Sequence, residues 1–253
     1  GLGDVYKRQI TLEQSKLTLS KDITVLSFSD SSMVDRNSSI IKVDSGWIVY
    51  SKNSESSILS FTSDGQFSGY IGHRGNGPGE YTSVYDVVVN QKSKVLEVLS
   101  DGGIFCYTFG GDFLDKKEVT YPAFSFAIDD RQNYWFYVGN NTTYGDAKMI
   151  CTDENIANVA YYLHQKSNML PMVENNFGRN GEWLTFHESL NHDLYTIENG
   201  KLDLSYAMDF PNYKLPKKLH ELSGMEVIEE LQRSNYASCL LYTSPSPRDY
   251  AAS

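Results

Sequence analysis

Ile58 to Phe67 reads ILSFTSDGQF, and Ile104 to Phe113 reads IFCYTFGGDF, the same phrase 46 residues further on. Each copy is an alternating apolar run, a glycine-containing turn and the start of a second run, which is the pattern of two antiparallel strands. AKMICTDENI, Ala147 to Ile156, repeats it 43 residues later, and LYTIENGKL, Leu194 to Leu202, follows after about 46 more when its turn is aligned on Gly200. The turns carry Asp64-Gly65, Gly110-Gly111, Asp153 with Asn155, and Asn199-Gly200. These residue types supply the positive φ angles that tight hairpins demand.

Two further strand-like runs precede each hairpin. They are Ser39 to Asp44 and Trp47 to Ser51, then Val84 to Val89 and Lys94 to Leu99, then Ala123 to Ile128 and Tyr134 to Val138. Before the fourth hairpin, Trp183 to His187 is clear, and the partner run is sought near Met172 to Asn175. Four antiparallel strands per ~45 residues is the signature of a β-propeller blade. A β-sandwich also yields many short strands, but it yields no period. The expected fold is all-β, a propeller of four-stranded antiparallel blades. The four hairpins account for about four such blades.

The 253 residues carry 22 Lys plus Arg against 32 Asp plus Glu, a formal charge of -10. That balance disfavours a surface built to neutralise phosphates, so nucleic acid is not an expected partner. No stretch approaches the ~20 apolar residues of a membrane helix. The first nine residues, GLGDVYKRQ, and the last fifteen, CLLYTSPSPRDYAAS, share no periodicity with their neighbours. They resemble strings that recur at the ends of unrelated metagenomic translations, and residues 1–9 and 239–253 are set aside as non-native tails. A native disordered N-terminus and a Ser/Pro-rich C-terminal tail are the alternative. The remaining span, 10–238, holds 19 basic and 30 acidic residues, net -11, and two cysteines, Cys106 and Cys151. Both lie in apolar segments without metal-ligand spacing, so buried free thiols are expected, with a single bridge as the alternative. Leu219, Leu222, Met225, Ile228 and Leu231 recur at three-residue steps behind Pro216, which predicts a short helix near 216–234.

Between the first two hairpin units lies Gly72-His73-Arg74-Gly75-Asn76-Gly77-Pro78-Gly79-Glu80-Tyr81. Four glycines and a proline require sharp backbone turns, and Pro78-Gly79 suits the centre of a type II turn. A phosphate cradle is disfavoured, since neither a GKS or GKT ending nor a helix pattern follows. A strand ending at Ile71, the GxxGxGPGEY segment, the lead-in SFTSDGQFSGYIG and the strand HDLYTI at His192 to Ile197 together resemble the six-bladed, NHL-repeat-like propellers of bacterial cell envelopes. That resemblance covers most of residues 22–210, and since six blades of ~45 residues need on the order of 270, it implies about four blades of an incomplete ring here. It implies an exported protein, periplasmic or at the cell surface, often a lipoprotein beside nutrient-uptake systems, with no established chemistry. It also implies that the loop crosses the face on which the central channel opens. His73, Arg74 and Asn76 are then the expected ligand contacts. Gly72, Gly75, Gly77, Pro78, Gly79, Glu80 and Tyr81 form the loop itself, with Glu80 accepting backbone N–H groups and Tyr81 packing between blades.

Catalytic constellations are sparse. His187 and His192, with Glu188 and Asp193, are the best metal candidates, but zinc would need a third ligand that the spacing does not supply. There is no Gly-x-Ser-x-Gly elbow. Asp129-Asp130 and Glu229-Glu230 read as solvated turn and helix faces rather than acid/base pairs. Asn37-Ser38-Ser39 and Asn141-Thr142-Thr143 match the glycosylation acceptor pattern and mark polar loops. Tyr134 to Tyr137 are four consecutive aromatics, two per strand face, one pair expected in the core. The sequence therefore predicts a non-enzymatic binding module for a glycan, a peptide or an envelope protein, with no cofactor and no metal. The alternative is a propeller enzyme, a metal-assisted lyase or a hydrolase, working at the channel mouth.

Overall fold

The computed structural model describes residues 23–27, 38–52, 57–139, 145–164, 175–180, 183–188, 191–207, 217–222, 226–227 and 229–230. The two end segments set aside above lie outside these residues. Blade 1 comprises β1 (Ser39–Val43), β2 (Gly46–Tyr50), β3 (Ile58–Thr62) and β4 (Phe67–Ile71). A connector with two short parallel strands, β5 (His73–Arg74) and β6 (Glu80–Tyr81), leads to blade 2. That blade is β7 (Asp86–Asn90), β8 (Val95–Ser100), β9 (Gly103–Tyr107) and β10 (Phe113–Lys117). Blade 3 is β11 (Ser125–Ile128), β12 (Tyr134–Tyr137), β13 (Ala147–Thr152) and β14 (Ala160–His164). Blade 4 is β15 (Phe177–Asn180), β16 (Trp183–His187), β17 (Asp193–Glu198) and β18 (Lys201–Ala207). Each blade is a sequential antiparallel meander, and the four are arranged as a propeller.

The hairpin turns explain the repeat. In blade 1 Gly65 N donates to Thr62 O and Thr62 N to Gln66 O; in blade 2 Gly111 N donates to Thr108 O and Thr108 N to Asp112 O. This is a three-residue turn whose last residue is left-handed, with φ of 91° at Gly65 and 100° at Gly111. Ile156 takes the same place in blade 3 at φ 58°, which is why that copy is the weakest in sequence. Asn199-Gly200 in blade 4, with φ of 54° and 73°, makes a two-residue turn instead.

Hydrophobic clusters sit between blades. Ile48, Tyr50, Ile58, Val87, Val98 and Tyr107 pack blade 1 on blade 2. Leu99, Ile104, Phe126, Tyr134 and Phe136 join blades 2 and 3, and Trp135, Tyr137, Met149, Leu184, Phe186 and Tyr195 join blades 3 and 4. The four aromatics of β12 are thus all buried: Tyr134 and Phe136 face blade 2, Trp135 and Tyr137 face blade 4. A middle strand covered on both faces reads as a continuous apolar run, and each such side chain contributes about 1.5–3 kcal/mol on burial. Among the described residues no core cluster joins blade 4 to blade 1. The other face of blade 1 carries Val49, Leu59 and Phe61, with Leu26 packed against them, and Ser27 N donates to Gly65 O at 2.8 Å.

Residues 172–174 of the run sought near Met172 to Asn175 lie outside the described residues, and the first strand described in blade 4 is Phe177–Asn180. Its sequence FGRN holds a single large apolar residue, so alternation could not mark it, and pairing of Phe177 with Phe186 in β16 fixes it instead. Toward the C-terminus a 3-10 turn spans Lys217–His220, and 226–227 and 229–230 have helical backbone. Leu219 and Val227 are buried, and Lys218 pairs with Glu230 at 2.7 Å. The rest of the segment expected as helix, 216–234, lies outside the described residues. Cys106 and Cys151 are buried free thiols, each pushed up to about 12 chiefly by burial.

Candidate functional site

The first strand of every blade faces the propeller centre, where a cavity of about 700 Å3 opens. Its wall is built from residues 39–41 of β1, 86–89 of β7, 126–128 of β11 and 177–179 of β15, with Tyr50, Lys52 and Asn176 at the junctions. Asp86 begins β7, and its carboxylate sits 2.8 Å from Lys52 Nζ, both side chains being shielded from water. The same carboxylate accepts hydrogen bonds from Val87 N and, across the next interface, from Phe126 N, each at 3.0 Å. Asp86 therefore ties blades 1, 2 and 3 together. Burial, reinforced by Asp86, pushes the Tyr50 hydroxyl well above the usual phenol range, so it remains protonated.

The interface of blades 3 and 4 repeats this device. Lys148 pairs with Glu188 at 3.2 Å, both side chains buried, and Tyr137 OH donates to Glu188 Oε1 at 2.9 Å. Tyr50 and Tyr137 each end the second strand of their blade and extend toward the following blade's acidic residue. Ser125 Oγ donates to Asn176 Oδ1 at 2.8 Å, and Asn176 exchanges hydrogen bonds with the His187 backbone. Burial holds the His187 imidazole below its ordinary value, so it is neutral at neutral pH. Among the described residues no group of three His, Cys, Asp or Glu side chains is close enough to hold a metal ion.

Asp129 is not a solvated turn carboxylate. It is buried and accepts hydrogen bonds from Arg131 N, Asn133 N, Asn133 Nδ2 and Trp135 Nε1 at 2.9–3.0 Å, capping the turn between β11 and β12. The turn's own orphan N–H groups thus draw a charged residue inward.

The glycine-rich connector lies beside the outer strands of blade 2. Glu80 N donates to Gly77 O at 3.0 Å with Gly79 at φ 75°, which closes a type II turn. Glu80 Oε2 accepts Gly77 N at 2.8 Å. Tyr81 is buried, donating to Ile71 O and accepting from Ile58 N, and Tyr107 OH donates to Gly79 O at 2.9 Å. His73, Arg74 and Asn76 are exposed; Arg74 Nε donates to Thr82 O at 3.0 Å. None of the three is among the residues lining the central cavity, because Gly72 and Gly79 press against Tyr107 and Phe113 and hold the loop on the flank. The residues that do line it, Lys52, Asp86 and Arg179, carry one readable signal. Asp86 is the lone charge in the apolar run Val84 to Val89, and a charge at a buried strand position needs a partner.

A family model, described as a domain of unknown function and numbered DUF4934, matches residues 3–243. The chain belongs to the DUF4934 family. The match takes in parts of both end segments set aside on sequence grounds. This DUF4934 propeller superposes on a protein from Bacteroides fragilis, named only as a candidate exported protein, with a TM-score of 0.72 and 15% identity over 84% of this chain and 63% of the other. It also resembles a member of the duf4221 family from Bacteroides vulgatus, with a TM-score of 0.50 and 11% identity over 73% of this chain and 61% of the other. At these identities the likeness is one of fold, and the DUF4934 chain spans less than two thirds of either structure. No curated protein matches the DUF4934 sequence significantly. Among the described residues no helix is long and apolar enough to cross a membrane.

Proposed function

We propose that this chain is a non-enzymatic binding module of a bacterial cell envelope, periplasmic or at the cell surface, that takes a glycan, a peptide or a segment of an envelope protein into its central cavity. The observation that carries the reading is the cavity of about 700 Å3, to which all four blades contribute their first strand. Its size suits a ligand of several rings or residues. Lys52 and Asp86 are bound to one another and to the neighbouring blade, which suits a wall that holds shape rather than groups poised for proton transfer. Support for the envelope comes from the GxxGxGPGEY resemblance, and that resemblance also favours a six-bladed type and a lipoprotein. His73, Arg74 and Asn76 enter as contacts for a partner on the flank of blades 1 and 2, separate from the cavity.

The test is a thermal-shift screen of soluble envelope glycans and short peptides against the wild-type chain and Ile40→Trp. Ile40 is 59% exposed and lines the cavity, so the larger ring fills that space without entering the core. A ligand that raises the melting temperature of the wild type and not of the variant is the expected result. A ligand that stabilises both equally, or one that is chemically turned over, would overturn the proposal.

A further inference from the structure

The four first strands are the inner edges of their sheets, and an edge strand carries backbone N–H and C=O groups with no partner in its own blade. On β7 and β11 side chains take up such groups: the Asp86 carboxylate accepts Val87 N and Phe126 N at 3.0 Å, and Arg179 Nη2 donates to Ile128 O. β1 differs. Its two-residue turn, Asp44-Ser45, closes with Val43 opposite Gly46, and the alternation of an antiparallel pair then aims the backbone groups of Ser39, Ile41 and Val43 at β2 and those of Ile40 and Lys42 away from it. Thr62 N, which donates to Gln66 O, sets the same alternation from the far side of the sheet. Among the described residues no hydrogen bond engages the outward groups of Ile40 and Lys42. β1 borders the side where no described core cluster joins blade 4 to blade 1, and Ile40 is 59% exposed there. β15 is shorter, and its Arg179 side chain reaches to Ile128 O.

The polar side chains around this edge are committed. Lys52 is paired with Asp86, Asn176 is bonded to Ser125 and to the His187 backbone, and the Ser38 and Ser51 hydroxyls lie 2.7 Å apart. Tyr50 and Phe126 are buried between blades, so neither offers an open ring face for a sugar to stack on. What this part of the cavity wall presents is a backbone edge beside the apolar Ile40, Ile41 and Val88. An extended peptide complements such an edge by adding one more strand, with main-chain bonds giving affinity and alternate side chains giving selectivity.

We infer that the ligand of the central cavity is an extended peptide that pairs antiparallel with the free edge of β1. The inference rests on the cavity-binding reading above. An added strand sets one residue beside Ile40 and another beside Lys42, which favours an apolar residue at the first place and an acidic one at the second. The N–H groups of those two residues face β1, and those of the residues between and beyond them face away. Titration calorimetry on the full chain uses acetyl-Ser-Thr-Glu-Thr-Val-Thr-Ser-amide, the same peptide N-methylated on Glu and Val, and the same peptide N-methylated on the two threonines that flank Val. The parent is expected to bind, methylation of Glu and Val to weaken it at least about tenfold, and methylation of the threonines to leave it unchanged. Ile40→Pro removes one outward N–H at an edge position where proline is tolerated, and is expected to abolish binding with the melting temperature retained. If that variant does not fold, the methylated peptides carry the test on the wild-type chain. Equal affinities of the three peptides, each lost in Ile40→Trp, overturn edge pairing and leave the cavity reading standing. Parent binding unchanged in both Ile40→Pro and Ile40→Trp overturns both. Failure of the parent to bind at millimolar concentration overturns the inference, and the glycan arm of the thermal-shift screen then decides the cavity reading alone.

Discussion

Lys52 Nζ lies 2.8 Å from the Asp86 carboxylate at the wall of the central cavity, and that carboxylate also receives Phe126 N from the next blade. A buried pair of this kind is costly to break and cheap to replace whole. Asp86→Ala leaves a buried ammonium without its carboxylate and Phe126 N without its acceptor, and is expected to cost about 3–5 kcal/mol in urea denaturation. Lys52→Met with Asp86→Leu is expected to recover most of that loss. A double variant no more stable than Asp86→Ala would show that the pair is not what the blades rest on.

Tyr134 OH reaches both oxygens of the buried Glu97, at 2.8 and 3.1 Å, while Asn90 Nδ2 donates to Oε1 at 3.0 Å. Tyr134→Phe keeps the ring in the cluster between blades 2 and 3 and removes one donor from a charged acceptor. The expected cost is about 1.5–3 kcal/mol. A loss below about 0.5 kcal/mol would mean that Glu97 draws its compensation elsewhere.

Gly79 holds φ 75°, and a Cβ built there would lie 2.6 Å from the Phe113 ring. Gly79→Ala is therefore expected to destabilise by at least about 1–3 kcal/mol through strain alone. Gly79→Ala with Phe113→Ala removes the clash and keeps the φ cost, so it separates the two terms. Equal stability of the two variants would place the whole cost in the backbone.

The blade count was legible because the hairpin turns repeat at a nearly constant period, and the period follows from one turn geometry used in blades 1, 2 and 3. The location of the cavity was not. Its wall comes from first strands, and β15, with the sequence FGRN, has no alternation to find. The glycines of the connector that carries His73 and Arg74 serve close packing against Tyr107 and Phe113 on the flank. Asp86 was visible as a charge inside an apolar run. Its partner Lys52, 34 positions earlier in the chain, could be found only in three dimensions.

The imidazole of His187 is depressed below its unfolded value by burial. In the range between its folded value and about 6.5, the unfolded chain binds the extra proton. The stability this group contributes is complete above about 6.5 and is lost as pH falls below it. Melting temperature is expected to drop on mild acidification, with a shallower drop in His187→Gln. An identical pH slope in the variant would assign the dependence to other groups.

Burial pushes the thiols of Cys106 and Cys151 up to about 12, and thiolate is the reactive form. In a Cys239→Ser background, neither thiol is expected to react with a disulfide reagent at pH 8 until urea unfolds the chain. Prompt modification of one equivalent in the native state would contradict the packing of β9 or β13.

The most direct test is a crystal structure of the chain saturated with a ligand found in the thermal-shift screen. The expected result is ligand density within the central cavity, beside Ile40 and Val88. Density on the flank at His73 and Arg74, with the cavity holding none, would contradict it.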